Sequence, residues 1–139
     1  MSRNQHEFRI QCALADLLRR AARPDVFWFA IPNGEARSAV TGARIKRAGG
    51  RAGLPDLCFL IEGRCLGLEI KTARDKARGI SRGRLSDSQF DVALEWERAG
   101  GIYVVVYGFD QAVEILSQCG VLQANSLNAA FTVNEANAA

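Results

Sequence analysis

The stretch Asp56-Leu57-Cys58-Phe59-Leu60-Ile61-Glu62-Gly63-Arg64-Cys65-Leu66-Gly67-Leu68-Glu69-Ile70-Lys71 constrains the fold more than any other. It holds two apolar runs of strand length around a glycine turn. Gly63-Arg64 as a two-residue turn, with Gly first as a type II′ turn favours, pairs Glu62 with Cys65. Asp56 then falls opposite Lys71, and Cys58 opposite Glu69. One face carries Leu57, Phe59, Ile61, Leu66, Leu68 and Ile70 and is wholly apolar. The other carries Asp56, Cys58, Leu60, Cys65, Gly67, Glu69 and Lys71. A one-residue slip mixes the two sets, so the pattern supports the pairing. Asp56, Glu69 and Lys71 therefore share one side at the open end of the hairpin. Asp56 and Glu69 are diagonal neighbours, with backbones roughly 7–8 Å apart.

Two carboxylates so placed repel each other, and partial burial raises their pKa values. A hard divalent cation removes that cost, and Mg²⁺ takes one or two carboxylates plus waters and substrate phosphate. Other metal chemistry has few ligands here. Cys12, Cys58, Cys65 and Cys119 form no C-x-x-C pair, and His6 is the sole histidine. The cysteines read as small buried hydrophobes. Lys71 adds a cation that can hold or deprotonate a water, or neutralise charge at phosphorus. A second reading stays open: a surface Asp–Lys cross-strand pair with Glu69 in solvent.

The net charge of +3 hides an asymmetry. Residues 37–84 hold twelve Lys/Arg against four acids, a net of +8, and the remainder holds six against eleven, a net of −5. A basic centre in an acidic remainder points to a polyanion, because phosphate attraction supplies most non-specific nucleic-acid affinity. An Arg-rich solvated loop is the alternative. At 139 residues, 48% hydrophobic and 24% charged, the chain reads as one soluble domain with a real core. No apolar run reaches membrane-spanning length. The polar start Met1-Ser2-Arg3-Asn4-Gln5-His6-Glu7 lacks a signal-peptide core, so a cytoplasmic location is expected.

Helical spacing of Phe8, Cys12, Ala15 and Leu18, with Ile10, Leu14 and Leu17, predicts a helix over 4–22, followed by Pro24. Val26 to Ile31 reads as an aromatic strand closed by the turn Pro32-Asn33-Gly34. Residues 35–53 read as loop with one short helix, and 73–85 as a mobile basic loop with Gly79 and Gly83. Ser86 and Gln89 form an S-x-x-Q capping box before a helix over 87–99, which Gly100-Gly101 ends. Ile102 to Tyr107 is β-branched and reads as a fully buried strand. Asp110 reads as the cap of a last helix to about Gln118, stopped by Gly120. Residues 121–139 form an Ala/Asn-rich tail, weakly structured or dimer-associated, after a domain over 1–120. The element order predicts an α/β domain with a mixed sheet flanked by helices. Gly101-Ile102-Tyr103 is similar to the opening of GIY-YIG nucleases, but Val106-Tyr107-Gly108 comes too soon to be the second half.

Asp56, twelve residues, then Glu69-Ile70-Lys71 resembles the D-x(n)-E-x-K signature of PD-(D/E)xK nucleases, with Pro55 supplying the P. That pattern alone is loose. Its setting adds Glu7 in the first helix, Asn33-Gly34, Lys46-Arg47-Ala48-Gly49-Gly50, Gly53-Leu54-Pro55-Asp56-Leu57 and Leu85-Ser86-Asp87-Ser88-Gln89. This order resembles the small stand-alone VRR-NUC nucleases of phages and bacteria, over roughly residues 7–116. Related domains end the Fanconi-anaemia-associated nuclease. The resemblance implies a restriction-endonuclease-like fold and Mg²⁺- or Mn²⁺-dependent hydrolysis of DNA, duplex, branched or at junctions, by a homodimer. It implies Asp56, Glu69 and the Ile70 carbonyl as metal ligands, Glu7 as a direct or water-mediated one, and Lys71 as the catalytic lysine. Gln89 matches a motif glutamine, beside its capping-box reading. Lys46, Arg47, Arg51, Arg74, Lys76, Arg78, Arg82 and Arg84, with Gln89, are the expected DNA contacts. A non-catalytic nucleic-acid-binding module on the same fold is the alternative function.

Overall fold

Glu62-Gly63, not Gly63-Arg64, turns the hairpin. The structure, a computed structural model, describes residues 2–32 and 37–123, so the expected Asn33-Gly34 turn and most of the tail lie outside the described residues. Strand β2 (Leu57–Ile61) pairs antiparallel with β3 (Arg64–Lys71), from Ile61 opposite Arg64 to Leu57 opposite Leu68. Glu62 and Gly63 take φ values of 50° and 77°. Positive φ at both central residues is the mark of a type I′ turn, whose twist matches the strands. Each partner is therefore displaced by two residues from expectation. Lys71 does not face Asp56, and Cys58 faces Gly67 rather than Glu69. Continued one step past Leu57–Leu68, the register sets Asp56 directly across from Glu69. The side-chain period is two, so a shift of two keeps every residue on its expected face. Both registers match apolar with apolar residues, which is why the pattern could not choose between them.

Strand β1 (Phe27–Ala30) adds antiparallel to β2, and β4 (Ile102–Tyr107) adds parallel to β3. The sheet is mixed and four-stranded, in the order β1-β2-β3-β4. Because β4 closes one edge, it is not fully buried. Tyr103 and Val106 are covered, whereas Ile102 is exposed.

Leu57, Phe59, Leu66, Leu68 and Ile70 form the sheet's side of the core, with Ile61 packed at its margin. Against them lie α1 (Arg3–Ala21), through Leu14, Leu17 and Leu18, and α4 (Phe109–Gln118), through Ala112, Val113 and Leu116. Val121 and Leu122 extend this core past Gly120, and Leu122 bridges to Ala22. Gly108, not Asp110, is the N-cap of α4; Asp110 lies inside its first turn. Cys12 is exposed, contrary to the expected burial, while Cys58 is buried. No described helix is long and apolar enough to cross a membrane.

The opposite face is covered by α3 (Asp87–Arg98). Its Trp96 lies against Gly67, donates Nε1–H to the Cys65 carbonyl at 3.2 Å, and meets Tyr103 edge-on at 6.4 Å. A β-carbon at Gly67 would stand 2.9 Å from Pro55 and 3.1 Å from Trp96, so the helix sits this close only over glycine. The short α2 (Ala39–Arg47) is capped by Ser38 and ends on Arg44, Lys46 and Arg47, which complement its C-terminal dipole. The 73–85 segment folds back on itself through reciprocal backbone bonds between Asp75 and Ile80.

Candidate active site

Asp56 enters β2 from the Gly53-Leu54-Pro55 turn, and its backbone carbonyl accepts from Ile31 at 3.0 Å. Its Oδ2 accepts the Ile70 N–H at 2.8 Å, continuing the β2–β3 ladder with a side-chain oxygen. In a strand the N–H and C=O of one residue point to the same side. The Ile70 carbonyl therefore lies on the strand edge that faces Asp56. Glu69 is only 2% exposed. Its Oε1 faces Lys71 Nζ at 3.2 Å and accepts from Gln89 Nε2. Its Oε2 is buried with no hydrogen-bond partner.

Gln89 makes the expected capping box and a second contact that was not expected. Its Oε1 accepts the Ser86 N–H at 2.9 Å in the capping box, and its Nε2 reaches Glu69. The amide has an acceptor at one end and a donor at the other, so one side chain caps the helix and orients the acid. Glu7 comes from α1 to the same end of the sheet. Its Oε1 accepts from the Thr72 N–H at 3.1 Å and the Thr72 hydroxyl at 3.3 Å. Among the described residues, no group of three or more His, Cys, Asp or Glu is arranged to hold a metal ion. Asp56 and Glu69, with the Ile70 carbonyl, are the oxygens that could share a cation, and Glu7 is engaged with Thr72.

Burial, then repulsion from Asp56, pushes Glu69 up from 4.5 to about 8; Lys71 pulls it back, and Glu7 adds a smaller upward push. Burial also raises Asp56, opposed by the Ile70 hydrogen bond and by Lys71. Tyr103, whose hydroxyl is buried without a partner, is raised by burial and then by the charges of Glu69 and Asp56. A raised acid weakens folding as pH climbs from 4.5 to about 8, because the unfolded chain has already released the proton that the folded chain retains. The metal-free protein should lose melting temperature across that window in EDTA, and Glu69→Gln should flatten the slope. An unchanged slope in the variant would remove Glu69 as its source.

The basic residues divide between two clefts. One, of about 590 Å³, opens at Asp56 and Gln89 and is lined by Arg37, Lys46 and Arg51. Arg51 is already paired with Glu95. The other, of about 970 Å³, is lined by Arg3, Arg74, Lys76, Arg82, Arg84 and Tyr107. It meets the acidic centre at Gly83, whose N–H donates to the Thr72 carbonyl at 2.9 Å. Arg47 and Arg78 line neither cleft, and Arg78 pairs with Asp75 at 3.7 Å. Sequence reasoning missed Thr72, Tyr103, Arg3 and Arg37. Thr72 directly follows Lys71, but nothing local marks it as a partner of Glu7. Arg3 falls outside the basic segment.

No protein-family model matches the sequence, and no curated protein matches it. A solved structure described as a VRR_NUC domain protein aligns with 85% of this chain and 96% of its own, at 23% identity and a TM-score of 0.63. That alignment spans the mixed sheet and its flanking helices described above, and this chain has the fold of a VRR_NUC domain protein.

Proposed function

We propose that the chain is a metal-dependent DNA endonuclease that hydrolyses phosphodiester bonds. One observation carries the reading: Asp56 and Glu69 converge across the hairpin, with Lys71 3.2 Å from Glu69 and a buried Glu69 oxygen left without a partner. Crowded, buried carboxylates with a spare buried oxygen fit a hard divalent cation. Asp56, Glu69 and the Ile70 carbonyl would hold Mg²⁺ or Mn²⁺, with Glu7 behind them. When bound, such an ion neutralises charge at the scissile phosphate and lowers the pKa of water. Gln89 fixes the Glu69 carboxylate. Lys71 orients or deprotonates the attacking water, or neutralises charge developing at phosphorus. The two basic clefts hold phosphates on the strand to either side of the break. The likeness to a VRR_NUC domain protein supports a nucleic-acid partner.

The Lys71–Glu69 ion pair also favours a second reading, because it offsets one acid without any cation. That reading is a non-catalytic DNA-binding module on the same fold. Incubation with DNA in Mg²⁺ or Mn²⁺ separates the two. Cleavage is expected with either ion, and none in EDTA or in Asp56→Asn. Cleavage that persists in EDTA, or in the variant, overturns the assignment.

A further inference from the structure

The two clefts have the same charge but different chemistry. The one at Asp56 and Gln89 has no aromatic ring in its lining among the described residues. The one at Gly83 contains Tyr107, and the Arg82 guanidinium lies 3.6 Å from the centroid of its ring. Arg82 is exposed and Tyr107 half-buried. A guanidinium this close over an aromatic ring carries charge, and a stacked guanidinium offers a further planar surface on its solvent side. Unpaired bases stack on such rings and guanidinium planes. Bases within a duplex cannot, because their faces are covered by their neighbours.

The position of this stack ties it to the centre. Gly83 follows Arg82 and packs tightly against Lys71 and Thr72: a β-carbon would lie 3.1 Å from Lys71 Cβ and 3.2 Å from Thr72 N. Tyr107 lies opposite Lys71 in the β3–β4 ladder. Ring, guanidinium and Lys71 are thus held by neighbouring backbone. Among the described residues, the one acid in this cleft's lining, Asp75, is paired with Arg78.

Resting on the nuclease reading above, we infer that the Arg82–Tyr107 stack is a platform for an unpaired nucleotide beside the scissile phosphate. The chain then selects DNA in which single strand meets duplex. The ringless cleft at Lys46 and Arg51 takes the paired side through phosphates alone.

The experiment is binding of the full chain in EDTA, where no cleavage interferes, followed by fluorescence anisotropy. The probes are a labelled blunt duplex and the same duplex with a single-stranded 3′ or 5′ extension. An extension of at least one polarity should raise affinity. That gain should fall roughly tenfold in Tyr107→Leu and in Arg82→Lys, which keeps the charge but not the plane, and should survive in Tyr107→Phe. The inference is overturned if no extension raises affinity, or if the gain persists in Tyr107→Leu or Arg82→Lys. It is also overturned if Tyr107→Phe loses the gain. Absence of cleavage in Mg²⁺ and Mn²⁺ with the gain intact sinks the nuclease reading and leaves the platform standing. Failure to bind any probe sinks both.

Discussion

Replacing Lys71 with Ala is expected to lower cleavage by about 10²–10⁴-fold, the range over which a positioned proton-transfer group contributes, while leaving the chain folded. Breaking a buried ion pair ordinarily costs about 3–5 kcal/mol, because one charge is left alone. Here the remaining partner has an escape. Glu69 already sits at about 8 and moves further up once the pull of Lys71 is gone, so near neutrality it keeps its proton. Gln89 still donates to it. The fold therefore survives a change that removes the only cation touching the acid among the described residues. Removing Lys71 also removes a competitor for the Glu69 carboxylate, so Mn²⁺ should still raise the melting temperature. The measurement pairs cleavage rate with melting in Mn²⁺. Cleavage within tenfold of the parent chain would exclude Lys71 from the chemistry.

The second large effect is expected at Gly53. It has φ +82°, and an added β-carbon would meet the Ser88 carbonyl carbon and oxygen at 2.5 Å and the Gln89 nitrogen at 2.7 Å. All three are backbone atoms of the first turn of α3, so no side-chain rotation relieves the clash. Left-handed backbone costs a non-glycine residue about 1–2 kcal/mol, and overpacking adds about 1–3 kcal/mol. Gly53→Ala should thus cost about 2–5 kcal/mol, a fall of roughly 10–20 °C in melting temperature. It should also reduce cleavage, because the displaced turn carries Gln89 away from Glu69. Gly42→Ala is the control. A β-carbon there meets nothing within 4 Å inside a helix, so stability should rise by up to about 1 kcal/mol. If Gly53→Ala melts like the parent, the close packing of this turn on α3 is not what sets Gln89.

The face assignment of the hairpin was legible because alternation is local. Leu57, Phe59, Leu66, Leu68 and Ile70 are buried as their spacing requires, and the charged residues gather on the other side. The Ser86–Gln89 capping box was legible for the same reason, since all its atoms lie within one turn. The turn itself was misplaced. Glu62 in left-handed backbone has no strong sequence mark, whereas Gly63 suits either turn type. Burial of β4 was overstated, since a run of β-branched residues does not reveal whether a further strand lies beside it.

The site divides along the same line. Period-two patterning by itself put Asp56, Glu69 and Lys71 on one face at one end, because each side chain's direction follows from its neighbours on the strand. The facing of Asp56 and Glu69 depended on the turn. The junction of Glu7 with Thr72, the reach of Gln89 to Glu69, and the closeness of Tyr103 to both acids joined segments 65, 20 and 34 residues or more apart. So did the Arg82–Tyr107 stack. These contacts depend on how helices α1 and α3 dock on the sheet and how the 73–85 segment folds over it. Docking is decided by burial summed over the whole core, and no local period records it.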